Sequence, residues 1–167
     1  MAKASESVNV PSSDTAARCA ACGAPLRAFG DCREVFDELL AREFGDYRYA
    51  RLHRLTVDTY ALQHPEEFMR SAKSFVAHLT GACAAMETDQ APAINRSVQQ
   101  WLNGVKSLER PLDVPPGKRG TVTVVYAHEA TEPEEYLRRV QEWAQSAWAA
   151  WASHHEIARR WIARARK

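Results

Sequence analysis

Between residues 33 and 44 apolar side chains recur at Val35, Phe36, Leu39, Leu40 and Phe44, the three-and-four spacing of one helix face. Asp31 stands at the N-cap of this predicted helix and Gly45 ends it. A second helix is predicted from 47 to 64, stopped by Pro65. Leu52, Leu55, Thr59 and Leu62 line one of its faces, and His53, Val57, Tyr60 and His64 line an adjacent one. Arg51, Arg54 and Asp58 share what remains. A helix apolar over so much of its circumference belongs in the middle of a bundle. The third predicted helix, 66 to 87, carries Ala72, Phe75, Val76, Leu79, Cys83 and Met86 on its stripe. A shorter one carries Val98, Trp101, Leu102 and Val105.

The pattern then breaks. PLDVPPGKRG (111–120) is punctuated by Pro and Gly and reads as a loop. TVTVVYA (121–127) has the β-branched residues of a strand but no second strand to pair with, so a short helix or extended segment is expected. Thr131 and Glu134 have capping-box spacing, with Pro133 just inside the helix start. From there Leu137, Val140, Ala144, Trp148, Trp151, His155, Ala158 and Ile162 trace one stripe. It predicts a continuous helix of about thirty residues, roughly 45 Å long, whose Arg-rich end outreaches its neighbours. Residues 1–17 are small and polar without periodicity, and read as a disordered tail. The fold class expected is therefore all-α. It is a single helical domain over 18–167, in which residues 18–32 form a small cysteine-bearing segment of the zinc-knuckle type.

Composition adds little. With 167 residues, 46% apolar and 26% charged, the chain suits one globular domain. A net charge of +1 gives no whole-molecule field that would draw nucleic acid or an acidic membrane. No signal-peptide core or membrane-spanning run is visible, so a cytoplasmic protein is expected. In that reducing compartment, clustered cysteines favour a metal or redox reading over disulfides.

The chemistry worth weighing begins at Cys19-Ala-Ala-Cys22-Gly23, the turn of a zinc knuckle, with Cys32 ten residues on. Structural zinc takes Cys₄ or Cys₃His, and Cys83 sits mid-helix in an apolar stripe, so a histidine is the expected fourth ligand. The helix after Cys32 climbs about 18 Å over twelve residues, and a short connection forces the next to descend beside it. Its lower end is His64, whereas His53 lies roughly 16 Å higher. Cys19, Cys22, Cys32 and His64 are the predicted ligands of a zinc ion. Two other readings stay open, a redox-active CxxC and unliganded thiols. The redox reading lacks the preceding strand that places such a pair at a helix N-terminus.

A second constellation is His53, His78 and His155, three histidines expected to face inward near a common height, with Asp58 able to orient one of them. They are candidates for a catalytic metal site. Against this, a buried histidine is more often a hydrogen-bonded core residue, and Arg54 with Asp58 makes a solvated i,i+4 ion pair. Trp143, Trp148 and Trp151 read as core at helical spacing. Arg159, Arg160, Arg164, Arg166 and Lys167 either complement a helix C-terminus or contact an acidic partner.

The chain resembles a family of uncharacterised bacterial proteins catalogued as a domain of unknown function. The resemblance rests on CAACGAPL, on Asp31-Cys32 followed by VFDELLAREF, on HRLTVDTYALQHP and SAKSFVAHL, and on the terminal WAQSAW, AAW and HH. It marks Cys19, Cys22, Cys32, His53, Asp58, Gln63, His64, His78 and His155 as pattern positions and implies no particular activity. Whether the protein is an enzyme, and what its partners are, stays open at this point.

Overall fold

The computed structural model describes residues 17–110 and 113–167. Except for Ala17, the predicted tail lies outside the described residues. Eight helices follow in order among the described residues: α1 (Cys32–Gly45), α2 (His53–Gln63), α3 (Pro65–Phe68), α4 (Ala72–Glu87), α5 (Ala91–Gly104), α6 (Val124–His128), α7 (Pro133–Ala150) and α8 (His155–Ala165). Among the described residues there is no strand beyond an isolated bridge between Arg18 and Pro25. Nor, among the described residues, is any helix long and apolar enough to cross a membrane.

Helix α2 is central, as its broad apolar surface demands, and packs on α4 and α7. Asp31 caps α1 by accepting a 2.9 Å hydrogen bond from the Glu34 amide. Around the α1–α2 contact, Phe36 stacks on Tyr60 with centroids 3.9 Å apart, and Tyr136 and Trp143 close the cluster from α7. A fully buried side chain of Phe36's size contributes about 1.5–3 kcal/mol. A second cluster unites Leu62, Phe75, Leu79, Trp148 and Trp151.

Several elements depart from the sequence pattern. The third predicted helix is two: α3 is one turn, and α4 begins at Ala72, where Ser71 and Ser74 form a reciprocal capping box. The predicted box at Thr131 does not form. The N-cap of α7 is Glu132, whose side chain makes no capping bond, although Pro133 does open the helix. Residues 121–127 resolve into the short helix α6, preceded by extended chain.

The largest correction concerns the long C-terminal helix, which is broken at Trp151 by a 3-10 turn, Ala152–His154. The break has a cause in side chains that a straight helix would not seat together. Trp151 is fully buried and its Nε1 donates to the Leu62 carbonyl at 3.0 Å. His154, buried three residues on, bonds the Asp113 carbonyl through Nε2 at 3.0 Å and lies edge-on to Trp151. The bend lets α8 pack on α4 and α5. Two of the five basic residues from Arg159 to Lys167 are held against neighbouring helices: Arg159 pairs with Glu87 at 2.7 Å and Arg164 lies over the Trp101 ring.

Two polar devices fix the contacts of α2. Gln63, fully buried, donates from Nε2 to the carbonyls of Arg119 and Val122 at 2.9 and 2.8 Å and accepts from Trp143 Nε1 at 2.9 Å. It therefore stitches the loop before α6 to the bundle. On the opposite side Asp58 is fully buried, so its pair with Arg54 at 2.7 Å is not the solvated surface pair that the spacing suggests. It fits because α4 presents Gly81. A Cβ there would overlap the Asp58 carboxylate and come within 2.9 Å of Arg54 Nη2.

Gly81→Ala is expected to destabilise the protein by about 2 kcal/mol or more, since a buried carboxylate must shift. Gln63→Leu is expected to cost about 2–4 kcal/mol, because it strands buried carbonyls and an indole N–H. Urea unfolding midpoints of both variants against the parent protein check these values.

Candidate metal centre

The segment entering the bundle is a tight, hydrogen-bonded knuckle. Leu26 N donates to Ala17 O at 2.8 Å, Cys19 N to Ala24 O at 2.9 Å, and Gly23 N to Cys19 O at 2.8 Å. Gly23 has φ +78°, a conformation costly for a residue with a Cβ, and a Cβ would also run into the side chain of Lys118. This turn brings Cys19 and Cys22 to one side. Cys32 joins them as the first residue of α1, where the helix dipole favours a thiolate. His64 arrives from the other direction, at the C-cap of α2, held in place by Pro65 opening α3.

The ligand atoms of Cys19, Cys22, Cys32 and His64 all lie within 4.8 Å of one another, close enough to hold a metal ion. Cys19 Sγ is 3.6 Å from His64 Nε2, and Cys22 Sγ is 3.4 Å from Cys32 Sγ. Around a tetrahedral zinc with bonds of about 2.3 Å to sulfur and about 2.0–2.1 Å to nitrogen, those separations would be roughly 3.6 and 3.8 Å. The thiols are free, not disulfide-bonded. Cys22, Cys32 and His64 are buried and Cys19 is half-buried. His64 Nδ1 donates to the Tyr60 carbonyl at 3.1 Å, which leaves Nε2 free toward the sulfurs, as metal-binding imidazoles usually have their other ring nitrogen bonded to a carbonyl. The imidazole also stacks on Tyr60 at 4.1 Å, so its plane is fixed by packing.

The cluster's electrostatics favour a thiolate at Cys22. The hydrogen bond from Cys32 brings the Cys22 thiol down to about 4, against the opposing effect of burial. Sharing that proton, together with burial, pushes Cys32 up. Burial alone would lower His64, but its hydrogen bonds to Cys22 and Cys19 outweigh this and raise it to about 9.

His53, His78 and His155, the second predicted constellation, do not converge. His53 Nδ1 donates to Glu43 at 2.7 Å, His78 Nδ1 to Asp58 at 2.8 Å, and His155 Nε2 to the Trp148 carbonyl at 2.9 Å, where its ring also stacks on Trp148. Each is committed to a separate partner. Among the described residues, Cys19, Cys22, Cys32 and His64 are the one group of three or more such side chains placed to share an ion. Asp58 does orient a histidine, as its spacing allows, but that histidine is not aimed at the cysteines.

Sequence reasoning missed Glu43. It is buried and accepts hydrogen bonds from His53, Thr56 Oγ1 and Tyr136, the last two at 2.7 Å. Its position, four residues after Leu39 and seven after Phe36, continued the apolar stripe, and a carboxylate on that stripe was the available signal. Tyr60 was also overlooked: it is sandwiched between Phe36 and His64 and transmits the packing of α1 to the ligand.

A family of unknown function, DUF5946, matches residues 17–152. No curated protein and no solved structure matches the chain. The matched span contains the knuckle, the whole of α2 and all four residues of the cluster, and the protein belongs to this family of unknown function.

Proposed function

We propose that the protein is a zinc-binding helical protein in which Cys19, Cys22, Cys32 and His64 Nε2 hold one structural zinc ion. The observation that carries this is the approach of four ligand atoms to within 4.8 Å of one another, from three separate parts of the chain. Three thiolates and an imidazole are a soft, tetrahedral donor set, which suits zinc and not magnesium or calcium. Four protein ligands, three of them buried, complete the coordination and leave no position for substrate, unlike the open sites of catalytic zinc. The ion would tie the knuckle, the start of α1 and the end of α2 together. That is the work of a staple, not of a reaction centre.

Metal analysis of the purified protein is expected to give about one zinc per chain, falling well below that in the double variant Cys19→Ser, Cys22→Ser. A chain that neither carries nor takes up zinc would overturn the reading. With free zinc a hundredfold above its Kd, linkage gives about 2.7 kcal/mol, or roughly 5–10 °C in Tm. Chelation is therefore expected to lower the melting temperature by that amount, measured by calorimetry. Acidification is expected to release the ion, because protons and zinc compete for the same sulfurs and ring nitrogen. Zinc retention followed with a chromogenic chelator should decline as pH falls, never as it rises from 6 to 8.

A further inference from the structure

The Asp58 arrangement lies away from the cysteine cluster, and the structural zinc leaves it without a role. Asp58 offers one carboxylate oxygen to His78 and the other to Arg54 Nε, both from full burial. Arg54 Nη2 is in turn fixed to the Ala77 carbonyl at 2.9 Å. A guanidinium held at two of its nitrogens by a buried acid and a helix carbonyl has lost most of its rotamer freedom. Its Nη1 hydrogens remain for a ligand.

Arg54 lines a cleft of about 300 Å³ bounded by α2, α4, α5 and Gln141 of α7. The walls are largely aliphatic, including Leu55, Ala85 and Met86, and Gly81 lies among them without a side chain. Arg51, Asn95 and Gln141 add further hydrogen-bond donors. Arg51 is committed only to an exposed, 3.2 Å contact with Glu134, which holds it weakly. No acidic side chain lines this cleft, whereas the neighbouring hollows that share Arg51 are lined by Glu134. Arg54 and Arg51 each have an acidic partner outside the cleft, Asp58 and Glu134, but within it their remaining N–H groups over an aliphatic floor favour an anionic group on an apolar body. The volume sits at the small end of ligand pockets.

We propose that this cleft binds a small aliphatic carboxylate, with Arg54 and Arg51 holding the carboxylate group and Leu55, Ala85 and Met86 covering the chain. Asp58 and His78 are positioning residues: they set the guanidinium before the ligand arrives, which lowers the ordering cost of binding. Gly81 serves both ends of the device, since it admits the Asp58–Arg54 pair and leaves the cleft open above it. The proposal stands independently of the zinc site.

The test is an NMR titration of the full, zinc-loaded chain with hexanoate, acetate and hexylamine. Hexanoate is expected to give saturable shifts at the amides of Gly81, Ala85 and Asn95 with a Kd of roughly 1 mM or tighter. Acetate, lacking the chain, should bind about tenfold more weakly, and hexylamine, of opposite charge, should not saturate these amides. Removing the Arg54 guanidinium takes away one of the two partners of the buried Asp58 carboxylate and risks unfolding, so two gentler variants decide the matter. Arg51→Gln should weaken hexanoate binding several-fold, and Ala85→Leu, which fills the cleft from a partly exposed position, should abolish it. Absence of saturable shifts with hexanoate overturns the proposal, as does equal binding of hexylamine. Undiminished binding to the Ala85→Leu variant places the ligand elsewhere and overturns it too.

Discussion

The last turn of α2 is the constraint on which the rest of the structure depends. There the helix must end, and its final side chains face three different surroundings at once. Tyr60 lies against α1, Gln63 reaches the loop before α6 and the indole of Trp143, and His64 turns into the cysteine cluster. Pro65 makes this possible by forbidding another turn of the same helix. A buried amide with three partners is worth little net energy compared with water, but it is costly to leave unsatisfied. The loop, α7 and α2 therefore have one mutual arrangement that satisfies Gln63, and that arrangement places His64 beside the sulfurs.

The same logic governs the other buried polar groups. Glu43 is satisfied by donors from α2 and α7, and Asp58 by donors from α2 and α4. Each buried carboxylate thus ties α2 to another helix, and each has a histidine among its donors. The result is a bundle in which the polar side chains of the central helix specify its neighbours, while Phe36, Trp143 and Trp151 supply the apolar burial. The histidines that resemble a metal site in the sequence are the partners of these carboxylates or, for His155, of a helix carbonyl. Their spacing along the helices follows from burial, not from coordination.

How much of the site was legible varied with how local its cause was. The meeting of the three cysteines with His64 followed from two facts of one dimension: the CxxCG turn and the need for α2 to descend beside α1. That argument used helix rise and an antiparallel return; the connection is longer than expected, with α2 beginning at His53 after a 3-10 turn at Ala50–Leu52, yet His64 still meets the cysteines. The placement of His53, His78 and His155 required rotation about helix axes and the actual height of each helix. Helical periodicity gives phase within one element but nothing about phase between elements, and the three rings point to separate partners.

By itself the sequence determined the class of the fold, the ends of α1, the stop at Pro65 and the grouping of Cys19, Cys22, Cys32 and His64. Capping residues, apolar period and proline act over one or two turns, and so they can be read without knowing the neighbours. Only the tertiary structure decided that the C-terminal stripe is two helices and that Asp58 is buried. The apolar pattern runs unbroken through Trp151, and the break comes from seating Trp151 against Leu62 and His154 against Asp113. Likewise, whether the pair of Asp58 and Arg54 faces water or core depends on a glycine at 81, more than twenty residues away along the chain. Contacts of that range stabilise the fold through packing and desolvation, which no local propensity records.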